Sequence, residues 1–177
     1  MSSAMRILAL LLCLVALIGC TAKYEVSSIG GQDAHIRLDR TATVYIAVPE
    51  DGQFESKPAG GSGQIVAQAL AESFGKKAAK VRIADKYQTR ESVLADSRAA
   101  GAAYVIVPTI ANWEQRATEW SGRPSRVLIR VAIVDTKSGE QLSSTSIEGR
   151  SRIMSVTSTS PESLLRDPVD SFVSSLY

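Results

Sequence analysis

The sequence contains few of the residues that most often carry chemistry. Its 177 residues include one histidine and two cysteines, and aromatic residues make up only 6%. The single histidine, His35, excludes a metal site built from several imidazoles. A formal net charge of +2 is too small to indicate nucleic acid or an acidic substrate as the partner. The length suits one domain with its own core, for which we expect no metal and no cofactor.

Long apolar runs are also scarce. Residues 7–18 (ILALLLCLVALI) follow Arg6 and form an unbroken apolar run, but a membrane-spanning helix needs roughly 20 such residues, so the run indicates a signal peptide. It ends in Leu17-Ile18-Gly19-Cys20, which resembles the lipobox of bacterial lipoproteins. The resemblance implies that residues 1–19 are removed and that Cys20 carries diacylglycerol and an N-acyl chain. The alternative is a buried core helix with a chance cysteine.

Lipidation would leave the mature chain without a free thiol. Cys13 would leave with the signal and Cys20 would become a thioether, which excludes disulfides and cysteine nucleophiles. Thr21 rather than aspartate follows Cys20. By resemblance to the sorting rule of Gram-negative cells, this implies an outer-membrane protein that faces the periplasm. Residues 20–40 read as a lipidated tether that spans at most about 65 Å when extended.

Residues 41–177 show the periodicity of a single α/β domain. Strand patterns occur at residues 42–49, 81–84, 104–108, 126–135 and 140–152, and helix patterns at residues 62–77, after Thr89 and after Pro161. The order β-α-β-α-β-β-β-α predicts an α/β (α+β) fold with one mixed sheet of three to five strands and helices packed on it.

This layout resembles a group of envelope lipoprotein domains with an anticodon-binding-like fold. The group includes the periplasmic domain of the curli-secretion pore, the N-terminal domain of the Tol-system periplasmic protein and lipoprotein activators of peptidoglycan synthases. Four blocks are similar to one lipoprotein family, domain of unknown function 4823: TVYIAVPEDG, GGSGQ, VPTIANWEQRATEWSGRP and the final SLY. Because that family has no assigned activity, the resemblance implies a fold and a location but no chemistry.

Two segments resemble catalytic or ligand-binding motifs, but both motifs are incomplete. Residues 60–63 (GGSG) lie between a strand and a helix but lack the lysine and threonine of a phosphate-binding loop. Ser73-Phe-Gly-Lys76 fits the Ser-x-x-Lys pattern of serine enzymes, yet the accompanying motifs are absent. Glu50 and Asp51 are adjacent loop residues that we expect to be solvated.

Residues 112–124 (NWEQRATEWSGRP) are the remaining unusual segment, because tryptophan and arginine are enriched in binding hot spots. The alternative is a long hairpin whose tryptophans cover the core. Trp113 shares strand parity with Val105 and Val107 and is the better core candidate, whereas Trp120 lies among small and polar residues. The candidate partner-binding residues are Trp113, Glu114, Arg116, Glu119, Trp120 and Arg123.

The leading hypothesis is a non-enzymatic, lipid-anchored envelope lipoprotein. Its periplasmic domain would bind another envelope component, either a protein or peptidoglycan. One alternative is a periplasmic hydrolase or modifier of peptidoglycan or glycan. Another is a self-assembling subunit of an envelope or secretion complex, and hence a homo-oligomer, which rests on the resemblance in fold.

Overall fold

The computed structural model describes residues 36–114, 124–151 and 160–177, together with the backbone of residues 24–28. It confirms an α/β fold in which one mixed sheet carries helices. The elements are β1 (Tyr24–Ser28), β2 (Thr43–Val48), β3 (Gln53–Phe54), β4 (Lys57–Pro58), α1 (Ser62–Gly75), β5 (Lys80–Tyr87), α2 (Arg90–Ala99), β6 (Tyr104–Glu114), β7 (Arg126–Asp135), β8 (Gln141–Arg150) and α3 (Pro161–Ser175).

The main sheet has six strands in the order β1-β8-β7-β6-β2-β5. β2 is parallel to β5 and β6, and the remaining pairs are antiparallel. β3 and β4 form a separate small hairpin. The predicted number of three to five strands is too low because β1 lies within residues 20–40, which were predicted to be a tether. β1 pairs with β8 from Tyr24 opposite Gly149 to Ser28 opposite Thr145.

One face of the sheet forms the main core with α1 and α3. β7 shows why: Val127, Ile129, Val131 and Ile133 alternate along it and are all fully buried. α3 lies directly on β8, since a Cβ built at Gly149 would come within 2.2 Å of the carbonyl oxygen of Leu164. α2 covers part of the opposite face. Its Arg98 Nε donates a hydrogen bond to the carbonyl oxygen of Thr136 at 2.9 Å.

The last residue of the sequence also packs into this core region. The Tyr177 ring meets Phe74 edge-on at 6.4 Å between centroids, and the Arg40 guanidinium lies 5.4 Å from the Tyr177 centroid. Burial raises the pKa of the Tyr177 hydroxyl to about 12. The Leu38 N–H donates to the carbonyl oxygen of Leu176 at 2.8 Å. Residues 36–40, predicted as the end of the tether, are therefore part of the folded domain.

Candidate binding cleft

A cleft of about 510 Å³ opens at the carboxyl end of β2. One wall is formed by residues 47–53 and the other by residues 107–112 of β6, with Tyr87, Gln88, Arg90 and Val93 also lining it. β2 lies between β5 and β6 in the sheet, and the chain leaves β2 toward β5 through α1 but leaves β6 toward β7 on the other side. Ligands of open α/β sheets bind at such switch points, outside the carboxyl ends of the strands.

The loop that forms the first wall is fixed by Asp51. Its carboxylate accepts hydrogen bonds from the N–H of Gly61 at 2.9 Å and of Gly63 at 2.8 Å. The N–H of Gly63, followed by that of Gly61, lowers the pKa of Asp51. Ser62 Oγ accepts a further bond from the N–H of Gly52 at 2.8 Å. Gly63 must be glycine, because a Cβ there would lie 2.3 Å from the carbonyl oxygen of Pro49.

This arrangement decides how residues 60–63 are used. The first N–H groups of a helix bind anions readily, but at α1 the anion is the protein's own Asp51 carboxylate. The loop therefore has a structural role: Asp51 is an exposed loop residue, as expected, and its carboxylate also holds the start of α1. The sequence signal is an Asp-Gly pair ten residues before a glycine-rich helix start, a separation that local turn rules do not connect.

Trp113 lies behind the same wall. It is 3% exposed, and a Cβ built at Gly52 would come within 2.8 Å of the Trp113 Cβ. The prediction that Trp113 is a core residue is confirmed. The reason given for it is wrong, because Trp113 does not lie on the same face of β6 as Val105 and Val107. A bulge at Ala111 shifts the register between Ile110 and Asn112, so Trp113 stands opposite Val127. A side chain this buried offers almost no surface to a partner.

Glu114 projects from the opposite face, within a group of charges. Its Oε1 accepts a hydrogen bond from Asn112 Nδ2 at 3.1 Å, and it stands opposite Arg126. Arg126 Nε binds Glu148 Oε1 at 2.7 Å, and Glu148 also pairs with Arg150. Burial alone would raise the pKa of Glu148, but the two arginines outweigh it and lower that pKa.

The other predicted site residues are not located by the structure. Arg116, Glu119, Trp120 and Arg123 lie outside the described residues, as do His35 and Cys20. The partner-binding role of this group and the lipidation of Cys20 stay predictions. Of the six partner-binding candidates, the structure places only Trp113 and Glu114, and it sets them on opposite faces of β6.

The Ser-x-x-Lys pattern has a structural role. Ser73 Oγ donates a 2.6 Å hydrogen bond to Asp170 Oδ1, and Lys76 Nζ binds Asp170 Oδ2 at 2.7 Å. The bond from Lys76, then that from Ser73, lowers the pKa of Asp170. Because Ser73 is only 3% exposed and gives its proton to a carboxylate, the trio joins α1 to α3 and does not present a nucleophile.

The part of the chain that the structure describes has neither a cluster of metal ligands nor a membrane-spanning helix. In that part of the chain, no group of three or more histidine, cysteine, aspartate or glutamate side chains is arranged to hold a metal ion. Its helices are all too short or too polar to cross a membrane.

Comparison with solved structures identifies the fold. The PelC dodecamer from Paraburkholderia phytofirmans has a TM-score of 0.62 at 18% identity, covering 84% of this chain and 96% of that one. A single-residue variant of PelC gives 0.64 at 16% identity, with 88% and 98% covered. Lipoprotein GNA1162 from Neisseria meningitidis gives 0.50 at 15% identity, with 75% and 96% covered. At these identities the likeness shows a shared fold alone.

Comparison of the sequence identifies the family. Curated proteins give no significant match. The family model described as Domain of unknown function (DUF4823) matches residues 36–176, which span every element from β2 to α3. The match begins at Ile36, close to the residues that contact the C-terminal end of the chain, and it does not include β1. The chain therefore belongs to the DUF4823 family.

Proposed function

We propose that this protein is a lipid-anchored lipoprotein of the outer membrane whose periplasmic α/β domain binds another envelope component without catalysing a reaction. The observation that carries the proposal is the string Leu17-Ile18-Gly19-Cys20 behind an apolar run, placed ahead of a domain that shares its fold with lipoprotein GNA1162. A lipid anchor concentrates the domain near the membrane, so that moderate affinity for a neighbouring component is enough.

The side chains that could support catalysis favour the non-catalytic role. Ser73 and Lys76 share Asp170 between two helices, and Asp51 is held by the N-terminus of α1. Glu148 is held by two arginines. Each of these groups has a partner that explains its position, which weakens the alternative of a hydrolase acting on peptidoglycan or glycan.

Lipidation is tested by Cys20→Ser, with Cys13→Ser as the matched control. Cys13 lies inside the predicted signal, so its replacement by another small residue should leave processing and outer-membrane fractionation unchanged. Cys20→Ser should remove the lipid and release the chain from the membrane fraction. Metabolic labelling with a radioactive fatty acid and fractionation of the membranes measure both effects. If Cys20→Ser still fractionates with the outer membrane, the anchor is wrong.

Self-association is a second candidate function. PelC, which shares this fold, was solved as a dodecamer, and the likeness covers 84% of this chain. Native mass spectrometry of the full-length protein, extracted in detergent, measures the number of copies in each particle. A single defined copy number above one would favour an assembly subunit, and a monomer across the micromolar range would contradict it.

A further inference from the structure

We propose that the cleft accepts an extended peptide segment of another envelope protein, which pairs with the free edge of β6 as an added strand. The inference rests on the proposed function, since it names where and how the domain holds its partner. Strand addition is a common mode of peptide recognition, in which the main chain gives affinity and flanking pockets give specificity.

The cleft borders the edge of β6 and not one of its faces. Side chains alternate between the two faces of a strand, so a cleft on one face would be lined by alternate residues. Here six consecutive residues, 107–112, line it. β2 pairs with β6 only from Val44 to Ile46. Beyond Ile106, no described strand forms a hydrogen-bonded ladder with that side of β6, although Gly52, just before β3, packs against the side chains of Ile110 and Trp113. The chain after β2 diverges and forms the opposite wall.

The backbone groups that face the cleft can be assigned. The N–H of Thr136 donates to the carbonyl oxygen of Ala103 at 3.0 Å, and residues that bond to a neighbour alternate along an antiparallel strand. Residues of the same parity as Ala103, up to Thr109, therefore bond to β7. Pro108 agrees with this, because a proline within a sheet directs its nitrogen away from the ladder.

The free edge then consists of the carbonyl of Pro108 and the N–H and carbonyl of Ile110, because β6 and β7 stay in register up to Ile110. Donors and acceptors at strand spacing match another peptide backbone better than they match a sugar or a small ion.

The surroundings of the edge suit a side chain of such a peptide. Ala47 and Val93 are buried and line the cleft, which gives it an apolar floor. The Tyr87 ring is 50% exposed beside it and is the most exposed large apolar side chain among the described residues. The charged residues that line the cleft are Glu50, Asp51 and Arg90, and the Asp51 carboxylate is already bound by N–H groups of α1. The rim therefore carries net negative charge, and we infer that the bound segment is basic.

Photo-crosslinking in intact cells identifies the occupant. Benzoylphenylalanine replaces Thr109, which is exposed and lines the cleft, in the full-length lipidated chain. The control position is Arg82, which is exposed on β5 but outside the cleft. Position 109 should crosslink to one segment of another envelope protein, identified by mass spectrometry, and position 82 should not. A crosslink to a second copy of this chain or to glycan, or none at all, overturns the inference.

The crosslinked segment is then synthesised, and hydrogen exchange measures strand pairing. A saturating amount of the peptide should slow exchange of the Ile110 amide at least tenfold. The Thr109 amide, which bonds to β7, should keep its exchange rate.

A peptide N-methylated at alternate backbone nitrogens should bind at least tenfold more weakly. Tyr87→Ala should weaken binding several-fold, Tyr87→Phe should restore most of it, and Arg82→Ala should have no effect. Binding that leaves the Ile110 amide unprotected overturns strand addition.

Failure here can be told apart from failure of the proposed function. Chemical crosslinks from lysines of the wild-type chain to other envelope proteins, with none from position 109, would overturn the cleft and keep the binding role. If the lysines also give no crosslinks, both proposals fail.

Discussion

Asp51 is exposed in a loop, yet its side chain contributes to the stability of the fold. Its two hydrogen bonds connect the end of β2 to the start of α1 and so fix the wall of the cleft. Asp51→Ala removes these bonds and leaves helix N–H groups without a protein partner, which costs about 1 to 2 kcal/mol of unfolding free energy. Glu50→Ala, at the neighbouring exposed position, should change it by less than about 0.5 kcal/mol. Urea denaturation of both variants measures the difference.

Acid should break the hydrogen bonds that the carboxylates of Asp51 and Asp170 accept. The pKa values of Asp51 and Asp170 are lowered in the folded protein, so each carboxylate stabilises the fold above its ordinary pKa of about 4. That stability is lost as the pH falls from about 4 through the lowered values. The double variant Asp51→Asn and Asp170→Asn should therefore lose less stability between pH 7 and pH 3 than the wild type. Equal losses in urea titrations at the two pH values would contradict the assignment.

The two tryptophans should behave differently when each is replaced by alanine. Trp113→Ala leaves a cavity behind Gly52 and should cost about 3 kcal/mol or more. Trp120 lies among small and polar residues, which predicts a solvent-exposed position. Trp120→Ala should therefore change stability little and should weaken partner capture. Thermal unfolding and crosslinking of both variants decide between them. Unfolding by Trp120→Ala alone would show that residue 120 belongs to the core.

At the scale of elements, local signals predicted most of the fold. The pattern at residues 126–135 matches β7, and Thr89 caps α2 by accepting a bond from the N–H of Ser92. Gly139 adopts the positive φ of 74° expected for its turn. What escaped prediction depends on contacts distant in sequence: the bulge at Ala111 and the pairing of β1 with β8. Neither leaves a periodic pattern, because a bulge breaks the alternation and β1 is short.

The cleft escaped prediction for a similar reason. Each of its two walls is a continuous stretch of backbone, and the two stretches separate where β2 ends. No side-chain motif marks a place where strands diverge. Pro108 was the available sign, since a proline within an apolar strand indicates an edge. The prediction of the partner surface instead followed the residue types of residues 112–124, which are informative about hot spots but not about position.

The close packing of α3 on β8 depends on Gly149. Gly149→Ala would place a methyl group within 2.2 Å of the Leu164 carbonyl oxygen, so α3 must shift away from the sheet. We expect a loss of about 2 kcal/mol or more. Gly60→Ala is the matched control, because a Cβ there meets nothing within 4 Å and should be neutral or slightly stabilising. Differential scanning calorimetry measures both, and equal melting temperatures would contradict the close packing.

At the scale of the whole molecule, the two ends of the sheet differ. β5 forms one edge, and its exposed Lys80, Arg82 and Lys86 discourage pairing with another chain. β1 forms the other edge and covers β8. The part of β6 that β2 leaves unpaired lies at neither edge of the sheet. It lies between the edges, beyond the point where the pairing of β2 with β6 ends. A peptide that binds there would avoid the edges at which indiscriminate association begins.

The early start of β1 changes how far the domain can stand from the bilayer. With the lipid on Cys20, as proposed, only Thr21, Ala22 and Lys23 separate the anchor from Tyr24, the first residue of β1. That stretch reaches about 14 Å when fully extended, whereas a tether through residue 40 would reach about 65 Å. The domain would consequently lie close to the membrane, with its β1 edge facing the headgroups. A partner would then have to approach laterally, within the thin layer of periplasm next to the lipid.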